Sequence, residues 1–294
     1  MSKSRSYPQF VKNVVRKLPD TVYLQLRYFS KFKTFYSMRH PRTYNEKLQW
    51  LKVNYRVRDE PLLVDKYEVK SIVARKIGNE YVIPTLGIYN SVDEIDFDSL
   101  PSSFVLKCTH DSGGVVLVQD KNDADIEKVR ARLAKSMHRN YFYSGREPHY
   151  LQIKPRIIAE PYFADDRSGQ LLDYKFFCFD GQVKAMFVAS DRASGNVKFD
   201  YFDPQFEPLE LKQPYPNSAV LPSKPTQFNK MIELSRILSE GHPHVRVDLY
   251  EVNGKVFFGE LTFFHFSGME PFKPEKWDRL WGDWLTLPAA IKSY

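Results

Sequence analysis

Two short segments near the carboxyl-terminal end of the sequence combine acidic and basic residues in a pattern that suits phosphate chemistry. Arg246 and Asp248 lie two residues apart in an apolar run, and Glu260 and Thr262 repeat that spacing in the next run. Residues two apart in a β-strand share a face, so each pair is predicted to point the same way. Magnesium prefers oxygen ligands, and a guanidinium stabilises phosphoryl oxygens. The pattern predicts a Mg²⁺–polyphosphate site; the alternative is a simple cross-strand ion pair between Arg246 and Glu260.

The register of the hairpin decides whether these residues can meet. A two-residue turn at Asn253-Gly254 would turn Asp248 and Glu260 to opposite faces and make the site impossible. A three-residue loop over residues 252–254, with its glycine left-handed in a bulge, would instead place Arg246 opposite Glu260. The metal-site hypothesis therefore predicts the three-residue loop.

Weaker signals for an anion site lie upstream. The predicted strand over residues 104–108 carries Lys107 near its end, and the turn Ser112-Gly113-Gly114 follows. An ammonium group at the end of a buried strand suits a bound anion, and a small loop can bring backbone N–H groups onto phosphates. A surface lysine before a tight turn explains the same pattern equally well. Taken singly, Lys66 fits a solvent-facing lysine, and Glu160 fits an ordinary acid at the end of a strand.

These residues must be positioned by helices and strands, and hydrophobic periodicity predicts both. Asp180-Gly181 and Asn253-Gly254 favour hairpin turns. Strands interrupted by helices, with hairpins late in the chain, predict an α+β protein with mainly antiparallel sheets. The predicted parts are a basic helical region over 1–60, a central part with the glycine loop over 61–150, and a carboxyl-terminal part with the metal site over 151–294. The predicted elements include helices over 65–76, 123–137 and 227–239, and strands over 104–108, 115–119 and 156–162.

The charge of the chain is concentrated at one end. The 294 residues contain 43 Lys+Arg and 36 Asp+Glu, a net charge of +7. Residues 1–60 contain 14 of the basic and 4 of the acidic residues, a net of +10, so the remainder carries −3. The basic end is compatible with an anionic membrane surface or a polyanionic substrate, and equally with a packed helical layer whose basic face is solvated. No nucleic-acid partner is expected, because no binding motif accompanies the charge.

Cysteine content and hydropathy bear on the cellular context. Cys108 and Cys178 lie far apart in apolar runs, which is typical of buried thiols in a reducing compartment. No apolar run approaches the ~20 residues that span a bilayer, and the basic amino terminus lacks the apolar stretch of a signal peptide. The expected location is the cytoplasm, with association at the inner face of the membrane through residues 1–60 left open.

The order and spacing of these segments resemble a known family. The chain carries, in order, segments that resemble those of the ATP-grasp superfamily: Asp65-Lys66, Val105-Leu106-Lys107, Ser112-Gly113-Gly114, Ile158-Ala159-Glu160, Arg246-x-Asp248 and Glu260-x-Thr262. Three further segments closely resemble the branch named after teichuronopeptide biosynthesis: NEKLQW over 45–50, DYKFFCF over 173–179 and FGELTF over 258–263. The resemblance covers roughly residues 40–285. It implies an ATP-grasp fold, in which two α+β subdomains clamp ATP between mainly antiparallel sheets.

The resemblance implies a set of nucleotide-binding residues. They are Lys66, Lys107, Ser112, Gly113, Gly114, Glu160, Asp173 and Lys175. Lys66 and Lys107 are expected on the ATP phosphates, with the loop over 112–114 closing over them. Glu160 is expected at the adenine amino group, and Asp173 is the nearest counterpart of a ribose-binding acid. Candidate groups for the acceptor site are Lys175, Arg192 and His265.

The resemblance also implies the reacting end of the site. Asp248 and Glu260 match metal-bridging acids, and Arg246 matches an arginine that faces an acyl-phosphate. Arg246 and Lys107 are the expected catalytic residues. Thr262 departs from the superfamily, which commonly has asparagine there, but its hydroxyl can still ligate Mg²⁺.

The family chemistry implies an ATP-dependent carboxylate–amine ligase that releases ADP and phosphate through an acyl-phosphate. The implied cofactors are ATP and one or two Mg²⁺ ions, with Mn²⁺ as a substitute. For the branch, the implied reaction joins an amino acid to a uronic acid or related sugar during cell-surface polysaccharide assembly. The partners would be a small-molecule or polysaccharide-linked carboxylate and an amine donor.

Three other functions remain open from the sequence. Asp96-Phe97-Asp98 is a formal Asp-x-Asp that could hold the metal of a nucleotide-sugar glycosyltransferase, although it lies in an acidic run that fits a solvated loop. A zinc hydrolase could use His242, His244 and Asp248, although the proline between the histidines favours a plain loop. A non-catalytic binding module would keep the fold without turnover.

Overall fold

Helices and strands alternate irregularly along the chain. The computed structural model describes residues 15–163, 171–191 and 195–292, so the predicted acceptor residue Arg192 lies outside the described residues. The helices are α1 (Asp20–Phe32), α2 (Tyr44–Asn54), α3 (Glu60–Val64), α4 (Glu68–Ile77), α5 (Ile126–Met137), α6 (Phe142–Gly145), α7 (Phe228–Ser239) and α8 (Lys276–Trp284). Short 3₁₀ segments lie at Asn79–Tyr81, Pro148–Leu151 and His265–Gly268.

The strands fall into three sheets. They are β1 (Tyr55–Arg56), β2 (Gly87–Tyr89), β3 (Phe104–Cys108), β4 (Val115–Val118), β5 (Ile157–Pro161), β6 (Asp173–Phe179), β7 (Gln182–Ser190), β8 (Lys198–Phe202), β9 (His244–Val252), β10 (Lys255–Thr262) and β11 (Ile291–Lys292). The larger sheet has the order β10-β9-β6-β7-β8, the smaller one has the order β2-β5-β3-β4, and β1 pairs with β11. Every pairing in the two main sheets is antiparallel.

One face of the larger sheet packs against α7, and the other carries a charged cluster beside aromatic side chains that pack against α8. On the apolar face, the ring of Phe176 lies 6.1 Å from that of Phe228 in α7. The Cys178 thiol lies 3.7 Å from the carbonyl of Ser235 in the same helix. Because side chains alternate along a strand, the residues between these apolar positions point to the opposite face. That face carries the charged residues of β6, β9 and β10.

The smaller sheet is arranged in the same way. Phe104 and Leu106 of β3 pack with Val129 and Leu133 of α5 in a separate apolar core. The other face of this sheet carries Lys107 of β3 and Glu160 of β5. Each sheet therefore packs an apolar face against a helix and carries its charged residues on the other face.

Helix α2 joins the amino-terminal part of the chain to the larger core. It begins in a capping box, in which Thr43 Oγ1 accepts the N–H of Glu46 at 3.3 Å and the Glu46 carboxylate accepts the N–H of Thr43 at 3.2 Å. The buried side chains of Tyr44 and Leu48 lie in the core of the larger sheet, and Tyr44 lies 5.5 Å from the ring of Trp281.

The predicted fold class is confirmed, since both main sheets are antiparallel and both are covered by helices. The predicted hairpin at Asp180-Gly181 is also confirmed, with φ of 46° and 72° at those residues. Cys108 and Cys178 are buried free thiols, as predicted. The segment predicted to start the carboxyl-terminal part at residue 151 contributes β5 to the smaller sheet. No helix in the described part of the chain is both long and apolar enough to cross a bilayer.

The helix predicted over residues 65–76 begins later than expected. Asp65 Oδ1 accepts the backbone N–H groups of Tyr67 at 2.8 Å and Glu68 at 3.1 Å, so Asp65 forms a turn rather than the first helical residue. Lys66 therefore lies in the turn between α3 and α4. The direction of the Lys66 side chain is therefore set by this turn and not by a helix face.

Candidate functional site

The turn that joins β9 to β10 differs from the predicted one. Val252 pairs with Lys255 across a two-residue Asn253-Gly254 turn. Both turn residues have positive φ, 52° and 77°, which asparagine and glycine tolerate and which matches the twist of the flanking strands. The predicted three-residue loop was therefore wrong.

A β-bulge in β10 nevertheless brings the predicted residues to one face. The ladder shifts by one residue at Gly259, which is an extra residue in β10. Beyond this bulge, Glu260 pairs directly with Asp248, and Thr262 pairs with Arg246. The four polar residues thus share a face although the turn alone would have separated them.

Arg246 is buried at the centre of this cluster. Its Nε and Nη2 donate to the two carboxylate oxygens of Asp248, each at 2.7 Å, and Nη2 also donates to Glu260 Oε1 and Thr262 Oγ1, each at 2.9 Å. Its Nη1 lies 2.7 Å from Nδ1 of His265. Burial lowers the pKa of Arg246, but the Asp248 carboxylate outweighs burial, so the pKa is raised and the guanidinium stays charged. Burial, and then the charge of Arg246, hold the pKa of His265 well below its usual value, so this ring accepts the hydrogen bond.

Lys175 of β6 completes the cluster. It pairs with Asp248 in the ladder, its Nζ forms a short ion pair with Asp248 Oδ2, and it lies 3.5 Å from Asp173 Oδ1. Asp248 is fully buried, and burial raises its pKa despite the two neighbouring cations. Burial also raises the pKa of Glu260, but Lys175 and Arg246 outweigh it and leave that pKa below its usual value. The cluster combines three carboxylates with two fixed cations.

Lys66 links this cluster to the smaller sheet. Its Nζ donates to the backbone carbonyl of Asp111 at 2.7 Å. Burial lowers the pKa of Lys66, the charge of Glu260 opposes that shift, and the charge of Lys107 adds to it. Lys66 therefore interacts electrostatically with Glu260 of the larger sheet and with Lys107 of the smaller one.

Glu160 is buried between two lysines. Its Oε1 lies 2.5 Å from Lys70 Nζ, and its Oε2 lies 2.5 Å from Lys107 Nζ. Burial raises the pKa of Glu160, but Lys107 and Lys70 together hold it below its usual value. Lys107, expected on a phosphate, is thus paired with Glu160 in this structure. Lys70 was missed by the sequence analysis, although it follows Lys66 by four residues, the spacing of one helical turn.

The predicted glycine loop joins β3 to β4. Ser112 and Gly113 are exposed, and Gly114 is buried. Gly113 has a φ of +117°, a conformation that side chains rarely adopt, and a Cβ there would meet no atom within 4 Å. The backbone of this loop is therefore open to a ligand that approaches from solvent.

A strained turn follows β10 and supports the cluster. Phe266 and Ser267 have φ of 47° and 58°, a conformation that costs non-glycine residues about 1–3 kcal/mol each. Two buried side chains of α2 hold it: Gln49 donates to the carbonyls of Ser267 at 3.0 Å and Gly268 at 2.8 Å, and Lys52 donates to the Ser267 carbonyl at 2.7 Å. The turn begins at the histidine that contacts the buried guanidinium, so α2 fixes that contact from behind.

The NEKLQW segment over residues 45–50 therefore has a structural explanation. Asn45 Nδ2 donates to the carbonyl of Glu270 at 3.1 Å, and Lys47 Nζ donates to the carbonyl of Gly282 at 2.7 Å. Its polar side chains satisfy backbone carbonyls of the segment after β10, while its leucine fills the core. The sequence analysis used this segment only for its resemblance and missed its role in holding the turn.

Comparison with known protein families decides the family of the chain. A family model described as TupA-like ATPgrasp matches residues 46–286, which is most of the sequence. The chain belongs to the TupA-like ATP-grasp family. The predicted resemblance is thereby confirmed, and its matched range agrees with the range over which the motifs were found.

Similarity to solved structures of ATP-grasp proteins is distant. D-alanine–D-alanine ligase from Bacillus anthracis in complex with ATP is 15% identical, with a TM-score of 0.41 over 69% of this chain and 55% of that one. The corresponding ligase from Helicobacter pylori is 16% identical, with a TM-score of 0.39 over 76% of this chain and 63% of that one. N5-carboxyaminoimidazole synthase from Aspergillus clavatus is 16% identical, with a TM-score of 0.40 over 70% and 46%. The chain thus spans less than two thirds of the length of these structures. No curated protein matches the sequence.

Two carboxylates of this cluster could hold magnesium together with a nucleotide. Asp248 and Glu260 present carboxylates from opposite strands, and Thr262 Oγ1 donates to Glu260 Oε1 at 2.9 Å. Across the described ranges, no three His, Cys, Asp or Glu side chains come together as a metal-binding group. Because Mg²⁺ keeps several positions for phosphate and water, two carboxylates suffice for an ion that arrives with a polyphosphate.

Neither metal site of the alternative functions is formed by the described residues. Asp96 and Asp98 are exposed, and Asp96 Oδ1 accepts the backbone N–H of Asp98 at 3.1 Å in a local turn. His244 uses both ring nitrogens, one with the Tyr44 hydroxyl and one with the Cys178 carbonyl, each at 2.8 Å. The Asp-x-Asp segment and this histidine therefore serve local structure.

Proposed function

We propose that this protein is a Mg²⁺- and ATP-dependent carboxylate–amine ligase that releases ADP and phosphate. The observation that carries the proposal is the shared face of Arg246, Asp248 and Glu260 in a chain of the ATP-grasp family. Two carboxylates on adjacent strands can hold a metal, and a fixed guanidinium beside them can stabilise a transferring phosphoryl group.

The nucleotide would bind along the row of basic residues between the two sheets. Lys66 and Lys107 are the proposed phosphate ligands, with the exposed glycine loop over residues 112–114 covering the phosphates. Glu160, Asp173 and Lys175 are the remaining proposed ATP contacts. Because Lys107 is paired with Glu160 in this structure, we expect a contact between Lys107 and a phosphate to replace that ion pair.

The proposed metal ligands are Asp248, Glu260 and Thr262, which would hold one or two Mg²⁺ ions, with Mn²⁺ as a substitute. Bound Mg²⁺ would supply charge neutralisation on the phosphate oxygens. Arg246 and Lys175 add fixed positive charge where the phosphoryl group transfers, and no reorganisation is needed because the cluster already holds them.

The proposed reaction has two steps. A substrate carboxylate oxygen attacks the γ-phosphorus, and the bond to the leaving oxygen of ADP breaks to give an acyl-phosphate. An amine nitrogen then attacks the acyl carbon, the carbon–oxygen bond to phosphate breaks, and the amine loses a proton to give the amide. We further propose that the substrates are an amino acid and a uronic acid or related sugar of a cell-surface polysaccharide, which is the chemistry that the family's name suggests.

The test is an ADP-release screen that crosses uronic acids and amino sugars with the common amino acids. With the correct carboxylate, hydroxylamine should trap a hydroxamate while ADP accumulates, and EDTA should abolish both signals. Asp248→Asn and Glu260→Gln should each lower ADP release by about a hundredfold or more. Asp96→Asn should leave it unchanged, as the matched acidic control. Formation of AMP and pyrophosphate, or turnover of a nucleotide-sugar in place of ATP, would show that the proposed reaction is wrong.

A further inference from the structure

Helix α1 exposes an apolar stripe to solvent. Val22, Leu26 and Phe29 lie four and three residues apart, so they fall on one side of the helix, and their exposed fractions are 43%, 53% and 42%. Phe35, which is 60% exposed, stacks on Phe29 with ring centroids 4.8 Å apart. We call these four residues the outer stripe.

The packing of α1 on the protein does not use the outer stripe. Leu24 and Tyr28 lie on the opposite side of the helix and are buried against Tyr36 and Met269. A helix that docks on a domain needs one apolar face, and α1 has that face in addition to the outer stripe. An exposed apolar surface of this kind marks a place for an external contact.

Positive charge surrounds the outer stripe. Residues 15–42 contain 7 Lys+Arg and 1 Asp+Glu. Lys31, Lys33 and Arg39 are exposed, and Lys31 pairs with Glu270 at 2.7 Å. An anionic bilayer presents the complementary chemistry, because apolar side chains enter the boundary between headgroups and acyl chains while bases meet lipid phosphates.

We propose that the outer stripe and the bases around it dock this protein on the surface of an anionic lipid bilayer. The contact requires neither ATP nor the proposed ligase activity, so the two can be tested separately. Met269, which directly follows the strained turn, packs against α1. Docking therefore brings that end of the candidate site close to the bilayer.

The test is co-sedimentation of the full chain with vesicles. The protein should bind vesicles of phosphatidylcholine and phosphatidylglycerol at about 0.1 M salt, bind vesicles of phosphatidylcholine alone far more weakly, and be released at about 0.5 M salt. Leu26→Ser with Phe35→Ser should lower the partition constant by about tenfold or more. Lys33→Gln with Arg39→Gln should lower it by about 25-fold, since each base near an anionic surface contributes about fivefold.

Matched variants control for lost apolar surface and lost charge in general. Val220→Ser with Leu221→Ser removes two exposed apolar side chains elsewhere, and Lys128→Gln with Lys135→Gln removes two exposed bases from α5. Both should bind as the wild type does. All variants should keep the wild-type midpoint of thermal unfolding, which shows that the fold is intact.

Several outcomes would overturn the proposal. One is wild-type protein that stays in the supernatant with anionic vesicles; another is stripe variants that bind as well as their controls. If the full chain does not bind vesicles but a variant lacking residues 1–14 does, the outer stripe is a contact site for residues 1–14 and not for lipid. A dimer in sedimentation equilibrium that Leu26→Ser with Phe35→Ser abolishes would assign it to a second copy of the chain.

Discussion

Replacing Arg246 should cost stability as well as turnover, because this side chain is the centre of a buried network. Arg246→Met removes both hydrogen bonds to Asp248, the bonds to Glu260 and Thr262, and the contact with His265. Removing one partner of a buried ion pair typically costs about 3–5 kcal/mol, because the other charge stays buried. Here Asp248 keeps a second cation and Glu260 is partly exposed, so we expect about 3 kcal/mol.

Urea unfolding followed by tryptophan fluorescence measures this loss of stability in the core of the larger sheet. The four tryptophans, at positions 50, 277, 281 and 284, all pack in the core of the larger sheet, where Arg246 lies. Arg246→Met should shift the unfolding midpoint without changing the slope. Combining it with Asp248→Asn should cost less than the sum of the two single changes by about 1 kcal/mol or more, because the stranded charge is then gone. ADP release should fall in both variants.

Arg279→Met provides the matched control. Arg279 is exposed on α8 and lies 3.7 Å from Asp283 one turn along the helix, so its loss should cost less than about 0.5 kcal/mol. If Arg246→Met lowers the free energy of unfolding by no more than this control does, the buried network around Arg246 does not stabilise the protein. If the Arg246 and Asp248 changes are simply additive, their bidentate contact is absent in solution.

Two further predictions concern the residues behind the site. Glu160 has a folded pKa below its unfolded value, so it stabilises the protein above that unfolded value, about 4.3, and the stability is lost as pH falls through the folded pKa. When Lys70 and Lys107 are both changed to Met, burial alone acts on Glu160 and raises its pKa above the unfolded value. The midpoint of thermal unfolding should then fall as pH rises between about pH 4 and 7. If the dependence of the midpoint on pH is unchanged, the two ion pairs are absent. Gln49→Leu removes the side-chain donor from the Gly268 carbonyl and leaves the Ser267 carbonyl with Lys52 alone, so it should cost about 1–3 kcal/mol and lower ADP release. Gln25→Leu on α1, which removes a similar bond to the backbone carbonyl of Tyr36, is its control, and equal loss of ADP release in both would refute a role for the turn.

The sequence predicted which residues share a strand face, but it could not predict how the two strands are matched. Alternation within β9 places Arg246 and Asp248 together, since this depends only on neighbouring residues. The pairing of β10 depends on the bulge at Gly259; a glycine inside a strand is a signal for such a bulge, but the sequence analysis did not use it. The shared face of these residues was therefore predicted correctly, but through an incorrect turn.

Contacts between distant segments were the other limit of the prediction. The ion pairs of Glu160 with Lys70 and Lys107 join three elements, so no one segment reveals them. Lys66 was expected in a helix because Asp65 is a good first residue, whereas its carboxylate caps the next turn instead. Local propensity sets the elements, and their long-range packing sets what each charged side chain meets.

The attachment of α2 to the segment after β10 has a consequence for the order in which the chain folds. The bond from Lys52 to Ser267 spans 215 residues, and that from Lys47 to Leu285 spans 238. On a ribosome, the apolar side of α2 is synthesised well before its partners, since Tyr44 packs against Phe179, Phe272 and Trp281. The smaller sheet, from β2 to β5, is made within a short stretch and can form first. Contact order this high slows folding and leaves α2 open to wrong partners, so the larger core is the late and aggregation-sensitive step of synthesis.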